Sequence, residues 1–336
     1  MRYGFLCIPR LAHPQNGLRH QALMWKAGLE RLGHSVELVS NWCDRSMTNY
    51  DVLIAIGIEA GMWNFFRYLH LRNPNIISAP LIDPRWGKGL YKFFVKYWGS
   101  NRRTGLSSKF HDVWECRPFV KHWLVRSEQE RTYVHYCAEV PNEQITKVPL
   151  HCRIPYIAAE DLPEKEPFCL HVSRLEAPNK NVPRLVAAAK KYGFPLKLGG
   201  VVTPPRRQWF SDLIAGADNI EYLGPLSEEQ LLETYKRAKV FAMPSIKAEG
   251  VGMVALEAAA YGCEIVLTTL PGPREYFEER AILVNPASVD EIGKGVMRAL
   301  NEGHAQPLLK QYVDEQFSEQ RCCSLLHEAV VKALGK

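Results

Sequence analysis

The segment Pro244-Ser-Ile-Lys-Ala-Glu249-Gly-Val-Gly-Met-Val-Ala-Leu-Glu257-Ala-Ala-Ala-Tyr-Gly262 constrains the fold more than any other stretch of the chain. It follows the apolar run Val240–Met243, which reads as a buried strand closed by a proline. Gly250 and Gly252 then open an alanine-rich helix that stops at Gly262. A strand feeding a glycine turn and a helix aims unpaired backbone N–H groups at the space above a sheet, where a phosphate binds. Glu249 falls in the turn. Glu257 falls on one helical stripe with Gly250, Met253 and Val254, while Val251, Ala255, Ala258 and Ala259 form a small apolar stripe suited to lying on a sheet. A glutamate in so apolar a helix reads either as a half-exposed carboxylate near a helix N-terminus or as a fixed acceptor for two vicinal hydroxyls, as ribose offers.

Apolar strands alternate with amphipathic helices in both halves, which predicts an α/β protein with two Rossmann-like doubly wound parallel sheets. A length of 336 residues accommodates two domains of ordinary size, and 46% hydrophobic with 23% charged residues is ordinary for a globular protein. The expected division is an N-terminal domain over 1–157 whose last strand lies near Val148–Cys152, and a charged, proline-punctuated linker over 158–167. A C-terminal domain over 168–306 follows. The stretch 307–336 is helical, with Leu308, Leu309, Tyr312 and Val313 on one side.

The Glu-x7-Glu pattern within Pro-Ser-x3-Glu-Gly-x-Gly resembles the donor-binding signature of family-four retaining glycosyltransferases of the GT-B fold. That resemblance implies that Glu249 meets the donor hexose and Glu257 the ribose. Upstream, the strand Phe168–Ser173 runs into Arg174-Leu175 and then Asn179-Lys180-Asn181 at a helix start, which is similar to the family's element whose arginine and lysine grip the nucleotide diphosphate. The resemblance therefore gives Arg174 and Lys180 the leaving-group charge, and makes them catalytic together with Glu249. Physically, a departing diphosphate gathers negative charge as the sugar–oxygen bond breaks, so fixed cations there favour the transition state. Gly199-Gly200 and Leu270-Pro-Gly272-Pro-Arg274-Glu275 resemble the family's glycine loops around the donor. The donor-binding set implied is Gly17, Gly199, Gly250, Val251, Gly252, Met253 and Glu257. A deep cleft between the two domains and a last helix packed back on the N-terminal domain are implied by the same likeness.

Near the N-terminus, Asn16-Gly17 leads a helix ending in Gly33-His34 and the strand Ser35–Val39, after a first strand at Tyr3–Ile8. The family's first loop is similar but carries a glycine pair; Asn16 replaces the first, and Gly17 remains to let substrate approach the backbone. The family also carries a sugar-facing histidine after the fourth strand. Here that stretch reads Asn75-Ile-Ile-Ser-Ala-Pro80-Leu-Ile-Asp83-Pro, so Asp83 is the candidate polar contact, with His20 and His111 as alternatives that also read as surface or capping residues.

Nine scattered cysteines with no Cys-x-x-Cys pair suggest neither a disulfide framework nor a zinc site. No run approaches transmembrane length and no signal-peptide pattern leads the chain, so a cytoplasmic location is expected. The absence of Asp-x-Asp leaves no metal-clamped diphosphate site, and no metal or cofactor is expected. The missing Gly-x-Gly-x-x-Gly after a strand weighs against a dehydrogenase. The net charge of +6 is unevenly placed: Lys88, Lys92, Lys96, Arg102, Arg103 and Lys109 fall in 88–109 without an acid. There Leu90, Phe93, Phe94 and Tyr97 share helical spacing beside Trp98. This reads either as an aromatic face packed on its own domain or as a peripheral membrane contact, lysines on anionic headgroups. No nucleic-acid module is recognisable.

The expected activity is a glycosyltransferase moving a hexose, with retention, from a nucleotide-diphosphate sugar to a glycan or lipid-linked acceptor hydroxyl in polysaccharide biosynthesis. Two alternatives stand beside it: a sugar-nucleotide epimerase or hydrolase of the same fold, and a non-catalytic nucleotide-sugar-binding subunit.

Overall fold

The computed structural model describes residues 1–6, 17–40, 46–59, 61–82, 86–98, 100–101, 106–107, 109–246 and 252–335. Asn16, Asp83, Glu249, Gly250 and Val251 lie outside the described residues. The chain divides into two compact units, Met1–His151 with Glu319–Lys336, and Cys152–Ser318.

In the first unit, strands β1 (Arg2–Leu6), β2 (Ser35–Val39), β3 (Val52–Ile56), β4 (Ile76–Ala79), β7 (His122–Val125) and β8 (Ile145–Lys147) form one parallel sheet in the order β2-β1-β3-β4-β7-β8. Two short strands, β5 (Ser100–Asn101) and β6 (Leu106–Ser107), pair apart from it. Helices α1 (Gly17–Arg31), α2 (Met62–His70), α3 (Lys88–Phe93), α4 (Lys109–Glu115) and α5 (Glu128–Ala138) connect the strands. Burial on both faces demands near-continuous apolar strands, and Val52–Ile56 is buried at every position. The last strand of this sheet is Ile145–Lys147 rather than the expected Val148–Cys152. Val148 N–H still donates to the Val125 carbonyl at 2.8 Å, but Pro149 has no N–H to continue the ladder.

The second unit repeats the plan with β9 (Glu166–Val172), β10 (Leu196–Gly199), β11 (Ile220–Gly224), β12 (Ala238–Met243), β13 (Glu264–Thr268) and β14 (Ile282–Val284), all parallel, in the order β11-β10-β9-β12-β13-β14. Its helices are α6 (Val182–Tyr192), α7 (Arg207–Ile214), α8 (Glu228–Arg237), α9 (Met253–Ala260), α10 (Pro271–Phe277), α11 (Val289–Asn301) and α12 (Leu308–Gln316). Helix α8 opens on a capping box in which Ser227 and Gln230 satisfy each other's backbone N–H groups. The unit's first and last segments run side by side: Cys152 N–H donates to the Phe317 carbonyl at 2.8 Å.

Residues 307–316 stay in the second unit, where α12 packs on α9. On α12 the packed side chains are Leu309 and Val313, whereas Leu308 is 69% exposed. Helix α9 is consequently covered beyond its sheet-facing stripe, and every residue from Ala255 to Ala260 is buried. An apolar surface running all round a helix needs such double cover. Only α13 (Glu319–Leu334) belongs to the first unit, where it packs on α1 and β7 and contributes Leu326, Ala329 and Val330 to the core.

Candidate donor site

In the second sheet the strand order reverses between β9 and β12, whose neighbours run outward on either side. At such a switch point the connections leave opposite faces of the sheet and open a crevice beyond the carboxyl ends of the strands. Four sequence-predicted residues meet this edge through their elements. Arg174 follows β9 and is exposed; Lys180 lies in the turn before α6; Gly199 ends β10; Gly252 caps α9 after β12.

Hydrogen bonds tie these elements together. Asn181, with a left-handed backbone at φ 60°, is buried and donates from Nδ2 to the carbonyls of Pro244 at 2.9 Å and Pro286 at 2.7 Å. Ile246 N–H donates to the Asn179 carbonyl at 2.9 Å. The Asn179-Lys180-Asn181 turn is thus fastened to the segment that leaves β12 toward residues 247–251. Gly252 has φ 74°, and a Cβ there would lie 2.6 Å from Met243 Cε, so the helix start folds back over the end of β12. On the other side, a Cβ on Gly200 would lie 1.8 Å from the Ser173 carbonyl oxygen, which presses the β10 turn against the end of β9. Arg174 has an acid within its field: Glu176 accepts from the Thr203 hydroxyl at 2.7 Å and amide at 3.0 Å. Those bonds hold its carboxyl below the ordinary value, with Arg174 and Arg206 adding to the effect.

Under this edge lies a pair that sequence reading missed. His171 is fully buried, its Nδ1 2.8 Å from the Ala242 carbonyl and its Nε2 2.7 Å from Ser173 Oγ. A carbonyl only accepts, so Nδ1 carries the proton and the Ser173 hydroxyl donates to Nε2. Burial pushes the imidazole down to about 4; the Ala242 bond works against this and the Lys180 charge with it. The ring is neutral at pH 7.

Glu257 departs from the half-exposed sequence reading. It is 2% exposed rather than half exposed. Arg153 Nε donates to its Oε1 at 3.0 Å, and the Tyr235 hydroxyl approaches Oε2 at 3.3 Å. Arg153 also reaches Glu228 Oε1 from Nη1 at 3.0 Å. Burial pushes the Glu257 carboxyl up, and the Arg153 guanidinium and Tyr235 hydroxyl pull the other way. Removing one member of a buried ion pair costs about 3–5 kcal/mol because the other charge is left without compensation. Arg153 stands 104 positions from Glu257 in sequence, in a stretch with no periodicity to mark it.

Met253 begins α9, half-buried beside Gly252. Gly17 begins α1 in the first unit. His20 is exposed on α1, while His111 is buried in α4 between the Val95 carbonyl at 2.6 Å and Glu115 at 3.3 Å. Glu249, Gly250 and Val251, the centre of the predicted signature, fall in the stretch that is not described. Among the described residues no cluster of three His, Cys, Asp or Glu side chains is placed to hold a metal ion.

The aromatic run of α3 and the π-helical turn Phe94–Trp98 packs differently from the self-covering alternative. Tyr91 and Val95 are the core contacts, whereas Leu90, Phe93 and Tyr97 are 51%, 47% and 73% exposed. Lys96 pairs with Glu139 at 2.5 Å and Lys92 lies 4.4 Å from the Tyr136 ring centre. No helix among the described residues is long and apolar enough to cross a membrane.

Two doubly wound parallel sheets of this kind make up the GT-B fold, and the sequence relatives make the protein a glycosyltransferase. Residues 153–316 match the model of the family Glycosyl transferases group 1. The chain is 26% identical over 317 residues to the O-antigen chain mannosyltransferase B of Escherichia coli, covering 79% of this chain and 78% of that protein. A GDP-mannose-dependent monoacylated alpha-(1-6)-phosphatidylinositol monomannoside mannosyltransferase from Corynebacterium glutamicum is 25% identical over 130 residues, 37% of this chain and 33% of its own. The fold matches that of Anabaena Alr3699/HepE in complex with UDP, with TM-score 0.74, 14% identity and coverage of 99% and 100% of the two chains.

Proposed function

We propose that the protein transfers a hexose, with retention at the anomeric carbon, from a nucleoside-diphosphate sugar to a hydroxyl of a glycan or lipid-linked glycan during polysaccharide assembly. The observation that carries this reading is the bonding of the Lys180 turn to the segment leaving β12 at the switch point, through Asn181 and Ile246. In it, the bond between the anomeric carbon and the diphosphate oxygen breaks while the acceptor oxygen bonds to that carbon on the same face. The acceptor's proton passes to the departing phosphate oxygen. Arg174, Lys180 and the amides of Gly250, Val251 and Gly252 meet the growing negative charge, each charge-assisted contact contributing about 1.5–3 kcal/mol. Those cations supply the role that a metal plays elsewhere, so the reaction is proposed to need none. Glu249 orients the hexose hydroxyls and Glu257 the ribose; Gly199 and Met253 border the donor; Gly17 and Asp83 are the substrate-contact candidates of the first unit. The mannosyl activities named for the relatives favour mannose as the first sugar to test.

The exposed Leu90, Phe93 and Tyr97 beside Lys88 and Lys92 favour a peripheral contact with an anionic membrane surface, as a cytoplasmic enzyme using lipid-linked acceptors would need. The deciding experiment screens GDP- and UDP-hexoses by thermal shift, then follows products with and without a lipid-extract acceptor, in EDTA. A stabilising nucleotide sugar and an acceptor-dependent glycoside support the proposal. Free sugar or epimer released at the full rate from donor alone points to an epimerase or hydrolase, and binding without turnover points to a non-catalytic subunit.

A further inference from the structure

Arg153 lies in a coil that neither the donor reading nor the fold requires to be charged, yet that coil is fastened at both ends. Cys152 N–H donates to the Phe317 carbonyl at 2.8 Å, and the Tyr261 hydroxyl donates to the Pro155 carbonyl at 3.2 Å. The guanidinium between them is itself anchored on two carboxylates, Glu257 at 3.0 Å and Glu228 at 3.0 Å. Its hydrogen bond falls on Oε1 of Glu257 and that of Tyr235 on Oε2, so the two donors fix the carboxylate plane from opposite ends. An ionised carboxylate has acceptor capacity for two hydrogen bonds on each oxygen. Among the described residues one position per oxygen is left over, the pattern that two vicinal hydroxyls complete.

We infer that Arg153 is a positioning residue that holds Glu257 as a charged, oriented acceptor pair and so makes the site selective for ribose over 2′-deoxyribose in the nucleoside diphosphate. The inference rests on the assignment of Glu257 to the ribose proposed above. Without the guanidinium, a carboxyl this buried favours its neutral form, which offers a donor where the ribose hydroxyls need acceptors. Arg153 touches no part of the substrate; it acts through Glu257.

The test is calorimetric titration of the full chain with GDP and UDP and with their 2′-deoxy counterparts. The wild type is expected to prefer the tighter-binding ribonucleotide over its 2′-deoxy form about tenfold, the loss of one hydrogen bond to a charged group. In Arg153→Gln, which keeps an N–H donor but not the charge, that ratio is expected to fall to within about twofold through weaker ribonucleotide binding alone. Arg153→Lys keeps the charge but cannot span Glu257 and Glu228, and its ratio should settle near threefold, roughly midway. Thermal melts accompany each variant, and should Arg153→Gln not fold, Arg153→Lys decides. An unchanged ratio in the folded variant, or equal weakening of both nucleotides, overturns the inference and leaves the pair a structural one. A wild type that binds both forms alike, or neither, overturns the assignment of Glu257 together with it.

Discussion

Gly200 and Gly193 offer a matched pair of substitutions that separates backbone strain from steric conflict at the donor edge. Both have left-handed backbones, at φ 136° and φ 72°. A Cβ on Gly193, just past α6, meets nothing within 4 Å, whereas one on Gly200 falls 1.8 Å from the Ser173 carbonyl oxygen. Gly193→Ala therefore bears only the conformational term, about 1 kcal/mol. Gly200→Ala bears a larger strain, since φ 136° suits almost no side chain, and must also push the β10 turn away from the end of β9 by more than an ångström. The combined effect is expected at about 3–5 kcal/mol, among the larger values for point substitutions. Urea unfolding with coincident fluorescence and circular dichroism signals measures both. The displaced backbone carries Ser173 and precedes Arg174, so Gly200→Ala should also weaken binding of the nucleoside diphosphate, and Gly193→Ala should not. A Gly200→Ala protein no less stable than Gly193→Ala, with wild-type affinity, would refute the packing argument and with it the place of the β10 turn at the site.

Other consequences can be measured separately. Lys180→Ala should lower kcat at least tenfold while changing donor KM little, because its charge is proposed to act mainly on the departing diphosphate; wild-type turnover speaks against that role. His171 has a native value of about 4 against an ordinary 6.5, so the unfolded chain binds more protons between those limits and stability falls as pH drops through this window. His171→Phe should flatten the slope of stability against pH there by up to about 1.4 kcal/mol per pH unit, whatever it does to stability at pH 7; an unaltered slope in urea titrations between pH 6.5 and 4.5 contradicts the assignment. The membrane proposal predicts that vesicles with anionic lipid carry the protein upward in flotation and that Leu90→Ser with Phe93→Ser and Tyr97→Ser abolishes it, while zwitterionic vesicles do not. Equal behaviour of the triple variant and the wild type removes the surface from consideration.

Much of the second unit is legible in the sequence because its signals are local. Val240–Met243 ends at a proline, Gly252 starts α9 and Gly262 stops it, and Arg174 and Lys180 follow a largely apolar strand. What remained hidden depends on partners far along the chain. Arg153 has no neighbours in sequence that mark it, and only the folded coil brings it to Glu257. The burial of Glu257 against Arg153 and Tyr235 could not be read from the spacing of α9; the spacing of 307–316 put Leu308 on the packed side although it faces outward. In α3 the periodicity of Leu90, Phe93 and Tyr97 identifies a face without saying whether that face is covered, and Tyr91 and Val95 took the core positions instead. Pro149 ends β8 by its missing N–H, which shifted the last strand of the first sheet toward the N-terminus of the expected position.

The bond from Cys152 to Phe317 closes the second unit on itself. Chain topology thereby makes 152–318 an insertion with adjoining ends, a cassette bracketed by one host sheet whose final helix is supplied afterwards. Exchange of such a cassette needs only two splice points, since neighbouring termini leave little loop-closure entropy to be lost. Exchange of the unit proposed to bind the nucleotide is accordingly an operation that the chain's connectivity permits.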